Sequence, residues 1–466
     1  MTRILAFVSS LLILGPATLS GQSGERPLPD TPAGQRATEL LETLRGSSAD
    51  WQTFLDEAFS PDVREARTVD EWVSQLERLS QTLTDAKRVG VRVTSPAEIT
   101  LAYRTSDGER IRLSVRVADV PPHRIRGLRV EAGGGPRETI QFDSWAELDE
   151  TLRKQESEGR FAGVVLAARR DSIRFHRTYG RASREPNRPV SLDTRFNVGS
   201  LIKPMTGVLV LSLAQEGRVS LDDPVGRYVE GLRPEVGEEV TLMHLLRHRS
   251  GLGDYLREPE FRENPDRFGT VADLMDLVRE QELAFEPGTG RQYSNSGFVL
   301  LGAVVEAVTG RRYGRVLEDR VFEPAGMDRS SLGRDAVGHT ATPFRRTDDG
   351  DLQPVAHLHA DRGSPAGGGY STAGDLHAFA RALLDERLLE PEWTSLLLAG
   401  YDRDVAREEG RVGVGWGGGA PGVNATLEID PDGTVVAVVA NRDPPAASRV
   451  GVSIMRWLRE TGTVSP

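Results

Sequence analysis

The sequence predicts an α/β protein of the α+β kind in two parts: a small domain of helices followed by strands, then a larger domain whose sheet draws strands from both of its ends. Two observations predict it. Apolar residues recur at helical spacing over residues 38–86 and at strand spacing over 88–132, and strand-like runs then reappear near 162–179 and 425–440 with helical patterns between them.

Taken in order, Met1-Thr2-Arg3, the apolar run Ile4 to Leu14 and the small residues through Gly21 predict a secretory signal peptide over 1–20. The run is short for a bilayer span, so an exported protein, periplasmic or secreted, is expected, with an uncleaved anchor as the alternative. The Pro- and Gly-rich stretch Gly24 to Gly34 reads as a flexible leader over 21–37, with order starting near Thr38. Leu40, Leu41, Leu44, Trp51, Phe54, Leu55 and Phe59 have helical spacing, with turns at Gly46 and Pro61. Val89/Val91/Val93, Ile99/Leu101/Tyr103 and Ile111/Leu113/Val115 alternate, and Asp107-Gly108 is a hairpin pair, so the small domain spans 38–132. This order of elements resembles the cone-shaped domains related to nuclear transport factor two. Gly133-Gly134-Gly135-Pro136 marks a linker over 133–139. The second domain, 140–462, opens with a helix at Trp145 to Gln155 and strands at Ala162 to Ala168 and Ser172 to Tyr179. It closes with a hairpin, Ala425 to Ile429 and Thr434 to Ala440, and a helix from Ala447 to Arg459.

With 38% hydrophobic residues, 466 positions can bury a large core. The net charge of −11, from 58 basic and 69 acidic residues, argues against nucleic acid or anionic lipid as partners and for a small-molecule or polymeric substrate. The absence of cysteine excludes disulfides and lipoprotein attachment.

Chemistry concentrates at Phe196-Asn197-Val198-Gly199-Ser200-Leu201-Ile202-Lys203, which runs into the apolar stretch Val208 to Ala214. On a helix, a three-residue spacing brings the lysine amine toward the serine hydroxyl, and the helix N-terminus favours developing negative charge. A helix cap followed by a solvated lysine would give the same four residues. Lysine usage weighs against it: Lys87, Lys154 and Lys203 are the only lysines among 58 basic residues. A base must lose its proton, which lysine can do and arginine cannot.

Downstream stands Tyr293-Ser294-Asn295. Together the serine, lysine, tyrosine and asparagine resemble the active-site elements of class C β-lactamases, DD-peptidases and related esterases, over roughly residues 147–460. The resemblance implies a penicillin-binding-protein/β-lactamase-like domain, with an antiparallel sheet flanked by helices and a helical subdomain. It also implies Ser200 as nucleophile, Lys203 as base, Tyr293 as proton relay, and the Asn295 amide as a contact for the acyl side chain of substrate. The family's third element, a Lys-Thr-Gly or His-x-Gly strand, falls on Gly415 to Gly422, where Trp416 takes the place of the cation. Trp416, Gly418 and Gly419 are the implied substrate contacts there, with the Ser200 and Gly419 amides as the oxyanion hole. An esterase, or a D-Ala-D-Ala carboxypeptidase-like enzyme, is expected to act on an ester or amide carbonyl without cofactor or metal. A weakly active or inactive ligand-binding homologue is the alternative that Trp416 favours. His248 reads as structural, and His357 and His359 as loop residues.

Overall fold

The computed structural model describes residues 27–461, except 66–68, 85, 105–109, 119, 133–139, 171, 335–338 and 348. The signal sequence, the Asp107-Gly108 turn and the linker lie outside the described residues. The chain divides into two compact units, Met1–Arg137 and Glu138–Pro466.

The first unit runs α1 (Pro32–Thr43), α2 (Ser48–Ala58), α3 (Pro61–Glu65), α4 (Val69–Thr84), then β1 (Lys87–Ser95), β2 (Glu98–Arg104), β3 (Arg110–Val117) and β4 (Ile125–Ala132) in a four-stranded antiparallel meander. Helix α1 corrects the expected leader of 21–37. It starts at Pro32, with the Thr31 hydroxyl accepting from the Gly34 amide, and it buries Ala33 and Ala37. A proline just inside a helix behind a threonine cap is a helix start rather than a linker feature. Alternation in β2 and β3 buries Ile99, Leu101, Tyr103, Ile111, Leu113 and Val115 against Leu40, Phe54, Phe59 and Trp72. In β1 the alternation is present, yet Val89, Val91 and Val93 face outward, 41% to 50% exposed.

The second unit is organised by α5 (Trp145–Ser157), β5 (Gly163–Arg169), β6 (Ser172–Tyr179), α6 (Ile202–Gln215), α7 (Asn295–Thr309), α8 (Ala373–Leu384), β7 (Val414–Ala420), β8 (Val423–Ile429), β9 (Thr434–Ala440) and α9 (Ala446–Thr461). The last three strands pair with the first two in the order β7-β8-β9-β5-β6, antiparallel throughout. Strands β5 and β9 have almost no exposed positions because both faces of the sheet are covered. Val165, Ala167, Val436 and Val438 meet α5 and α9, while Val164, Leu166, Val435, Ala437 and Val439 meet the helical side that contains α6, α7 and α8. Helix α6 is buried from Ile202 to Leu211, as expected of a helix apolar all round. It is thereby a rigid mount inside the core for whatever its N-terminus carries.

Candidate active site

Ser200 sits in a single 3-10 turn, Gly199–Leu201, that leads directly into α6. Three contacts fix this turn. The Asn197 side chain accepts from the Gly199 amide at 2.9 Å, the Val198 amide donates to the Gly369 carbonyl at 2.9 Å, and the Gly368 amide donates to the Gly199 carbonyl at 3.1 Å. Gly199 has φ +51°, in the left-handed region that glycine adopts freely.

One turn on, Lys203 is only 5% exposed. Its Nζ donates to Asn295 Oδ1 at 2.6 Å, to the Ala366 carbonyl, and to Ser200 Oγ at 3.3 Å. The rings of Tyr293 and Phe298 stand 4.8 and 5.4 Å from the same nitrogen. Burial pulls the amine down to about 7, against the opposing charge of Asp254. A neutral amine has two protons and one lone pair. With the two protons given to Asn295 and Ala366, the lone pair is left for Ser200, the longest of the three contacts.

Tyr293 also reaches the nucleophile, its hydroxyl donating to Ser200 Oγ at 2.8 Å. Burial around the hydroxyl raises its pKa, so the phenol stays protonated near neutral pH; the Ser200 bond pulls the other way. His248 braces the tyrosine: the rings stack at 4.4 Å, and His248 Nδ1 accepts from the Ser294 amide at 3.2 Å. Burial first, and then the charges of Lys203 and Arg291, push His248 down to about 3. It is a neutral prop for the tyrosine, which agrees with its structural reading.

Asn295 is tied to both Lys203 and Asp254. The helix cap is Ser294, whose hydroxyl accepts from the Gly297 amide; Asn295 is the first residue of α7 and is 7% exposed. Its Oδ1 holds Lys203, and its Nδ2 donates to both carboxylate oxygens of Asp254, at 3.0 and 2.8 Å. Asn295 thus positions the lysine, is itself held by the Asp254 carboxylate, and is not among the residues that line the cleft beside Ser200.

Strand β7 forms the remaining wall. Trp416, Gly415 and Gly417 line the cleft beside Ser200, and the indole packs 6.2 Å from the Phe379 ring. Gly418 is pressed on the nucleophile turn: a Cβ there would lie 1.9 Å from the Val198 carbonyl oxygen and 2.9 Å from the Ser200 nitrogen. A Cβ on Gly199 would in turn lie 2.8 Å from the Gly419 nitrogen, so the backbones of β7 and the nucleophile turn are in direct contact. Trp416 thus lines the cleft, while Gly418 and Gly419 abut the nucleophile turn without being among the residues that line it. The cleft encloses about 460 Å³. A larger cavity of about 730 Å³, between the end of α6 and residues 391–407, contains neither Ser200 nor Lys203.

The family model described as Beta-lactamase matches residues 148–455. The chain belongs to the beta-lactamase family. Among relatives, a penicillin-binding protein of Bacillus subtilis is 34% identical over 40% of this chain and 40% of its own length. Esterase EstB of Burkholderia gladioli is 35% identical over 45% of this chain and 56% of its own length. The chain thus spans about half the length of these two relatives. The crystal structure of a penicillin-binding protein from Bacillus halodurans superposes with a TM-score of 0.58 at 26% identity, covering 67% of this chain and 98% of that one. In this beta-lactamase-family chain, sequence reasoning missed Asp254 and the Ala366 carbonyl. Asp254 gave no spacing signal, because it reaches Asn295 from a loop 41 residues earlier, and a backbone carbonyl has no side chain to read.

Proposed function

We propose that the chain is an exported serine hydrolase that transfers the acyl group of a carboxylic ester to Ser200 and then to water. The observation that carries this reading is the convergence of Lys203 Nζ and Tyr293 OH on Ser200 Oγ, at 3.3 and 2.8 Å. Lys203 takes the serine proton as Oγ bonds to the carbonyl carbon, and the oxyanion is held by the Ser200 and Gly419 amides. When the ester C–O bond breaks, the leaving oxygen takes a proton from Tyr293, which regains it from the Lys203 ammonium. A water molecule then repeats the sequence on the acyl-enzyme and releases the acid, leaving Ser200 protonated again.

Esters are placed before peptides and β-lactams for two reasons. Position 416 holds Trp rather than Lys or His, and Asn295, bonded to Lys203 and Asp254, is not among the residues that line the cleft. The likeness to Esterase EstB supports the same choice. Export rests on the pattern of residues 1–20 and places the enzyme in the periplasm or outside the cell. A catalytically silent binding protein would share the fold and Trp416, but would have no use for a lysine held down to about 7 in contact with a serine.

The test is the pH dependence of kcat/KM for 4-nitrophenyl butyrate. Lys203 works only when unprotonated, and its folded-state pKa lies below the ordinary lysine value, at about 7. The rate should be level above about pH 8 and fall tenfold per pH unit below the lysine's pKa. Release of nitrophenol no faster than in buffer, or a rate unchanged down to about pH 5, would sink the reading.

A further inference from the structure

The cleft that carries Trp416 in place of a cation is basic elsewhere. Lys203, Arg247, Arg249 and Arg291 all line it, and no Asp or Glu does, in a chain whose net charge is −11. Arg247 is engaged with Asp402 at 2.8 Å. Arg249 donates to the Gly288 carbonyl, while its buried Nε has no acceptor. Arg291 is exposed and has no carboxylate partner among the described residues. Arginine without a carboxylate partner, in a concave cleft with no acidic lining, is the chemistry that recognises a carboxylate or similar anion.

Placement ties Arg291 to the reacting centre. The Gln292 amide bonds to the His248 carbonyl at 2.9 Å. Arg291 and Tyr293 line the cleft while Gln292 between them does not, which is the alternation of an extended segment. Two residues of extended chain span about 7 Å, so the guanidinium is rooted about that far from the tyrosine that touches Ser200. The positive field there is felt by His248, whose low pKa owes part of its shift to Lys203 and Arg291 after burial.

We propose that the cleft selects esters carrying a carboxylate several bonds from the scissile carbonyl, with Arg291, aided by Arg249, as the specificity-determining cation. This rests on the acyl-transfer reading for its reaction and not for its binding, so the two are tested apart. The binding probes are monomethyl adipate and its neutral counterpart dimethyl adipate, titrated calorimetrically into Ser200→Ala protein.

In about 20 mM salt the half-acid should bind at least about tenfold more tightly than the diester, with the preference shrinking severalfold at about 500 mM salt as the guanidinium is screened. Adding Arg291→Gln should remove most of the preference, with the melting temperature reporting that the fold is intact. Equal affinities, a preference that survives Arg291→Gln, or no binding of either probe overturns the proposal. Hydrolysis of the two esters by the unaltered chain is measured separately. Selective binding without turnover supports the anion subsite and counts against acyl transfer; turnover with equal binding of the two probes supports acyl transfer and overturns the anion subsite.

Discussion

Lys203→Arg lowers kcat/KM for 4-nitrophenyl butyrate at pH 8 by about a thousandfold, equivalent to about 4 kcal/mol of transition-state stabilisation. Arginine keeps a positive charge and can still donate hydrogen bonds, but it does not release a proton in the working range. The substitution therefore separates charge from basicity. Lys203→Met, which removes both, should lose as much, and it strips Asn295 Oδ1 and the Ala366 carbonyl of their donor. Leaving those acceptors unmatched costs about 1–3 kcal/mol of stability, so circular dichroism and a melting curve accompany the kinetics. Activity of folded Lys203→Arg within tenfold of the parent would place the base elsewhere.

The second large effect is expected at a position with no side chain. In Gly418→Ala the new methyl would have to occupy space 1.9 Å from the Val198 carbonyl oxygen and 2.9 Å from the Ser200 nitrogen. Backbone cannot yield as a flexible side chain does, so β7 and the nucleophile turn must part. That separation spoils the alignment of the Ser200 and Gly419 amides, and loss of one oxyanion donor costs about 100- to 1000-fold in kcat. The loss should fall on kcat more than on KM, because those amides serve the charge that develops in the transition state. A Gly418→Ala enzyme with unchanged kcat would remove β7 from the oxyanion site.

What could be read from the sequence was whatever local spacing controls. Ser200 and Lys203 lie one helical turn apart, and lysine is so scarce in this chain that its appearance behind a serine carried information. Tyr293 was equally legible, being anchored just before the cap of α7. The strand and helix segments at both ends of the second unit were visible by period, and the structure joins them as β7-β8-β9-β5-β6. That order lay beyond local pattern, because it pairs residues 163–169 with 434–440 across the whole unit. The partner of the Asn295 amide was hidden for the same reason: Asp254 belongs to another loop. At the N-terminus the informative residues were present in Thr31-Pro32, but the surrounding prolines and glycines drew the reading toward a linker.

The central claim is that Ser200 is a nucleophile activated by its neighbours. Intact-protein and peptide mass spectrometry after exposure to a fluorophosphonate tests it most directly, with Ser200→Ala treated alongside. One adduct per chain, mapped to Ser200 and absent from the variant, is the predicted result. A folded protein that takes no label, or takes it equally in Ser200→Ala, would contradict the assignment of this cleft as a site of acyl transfer.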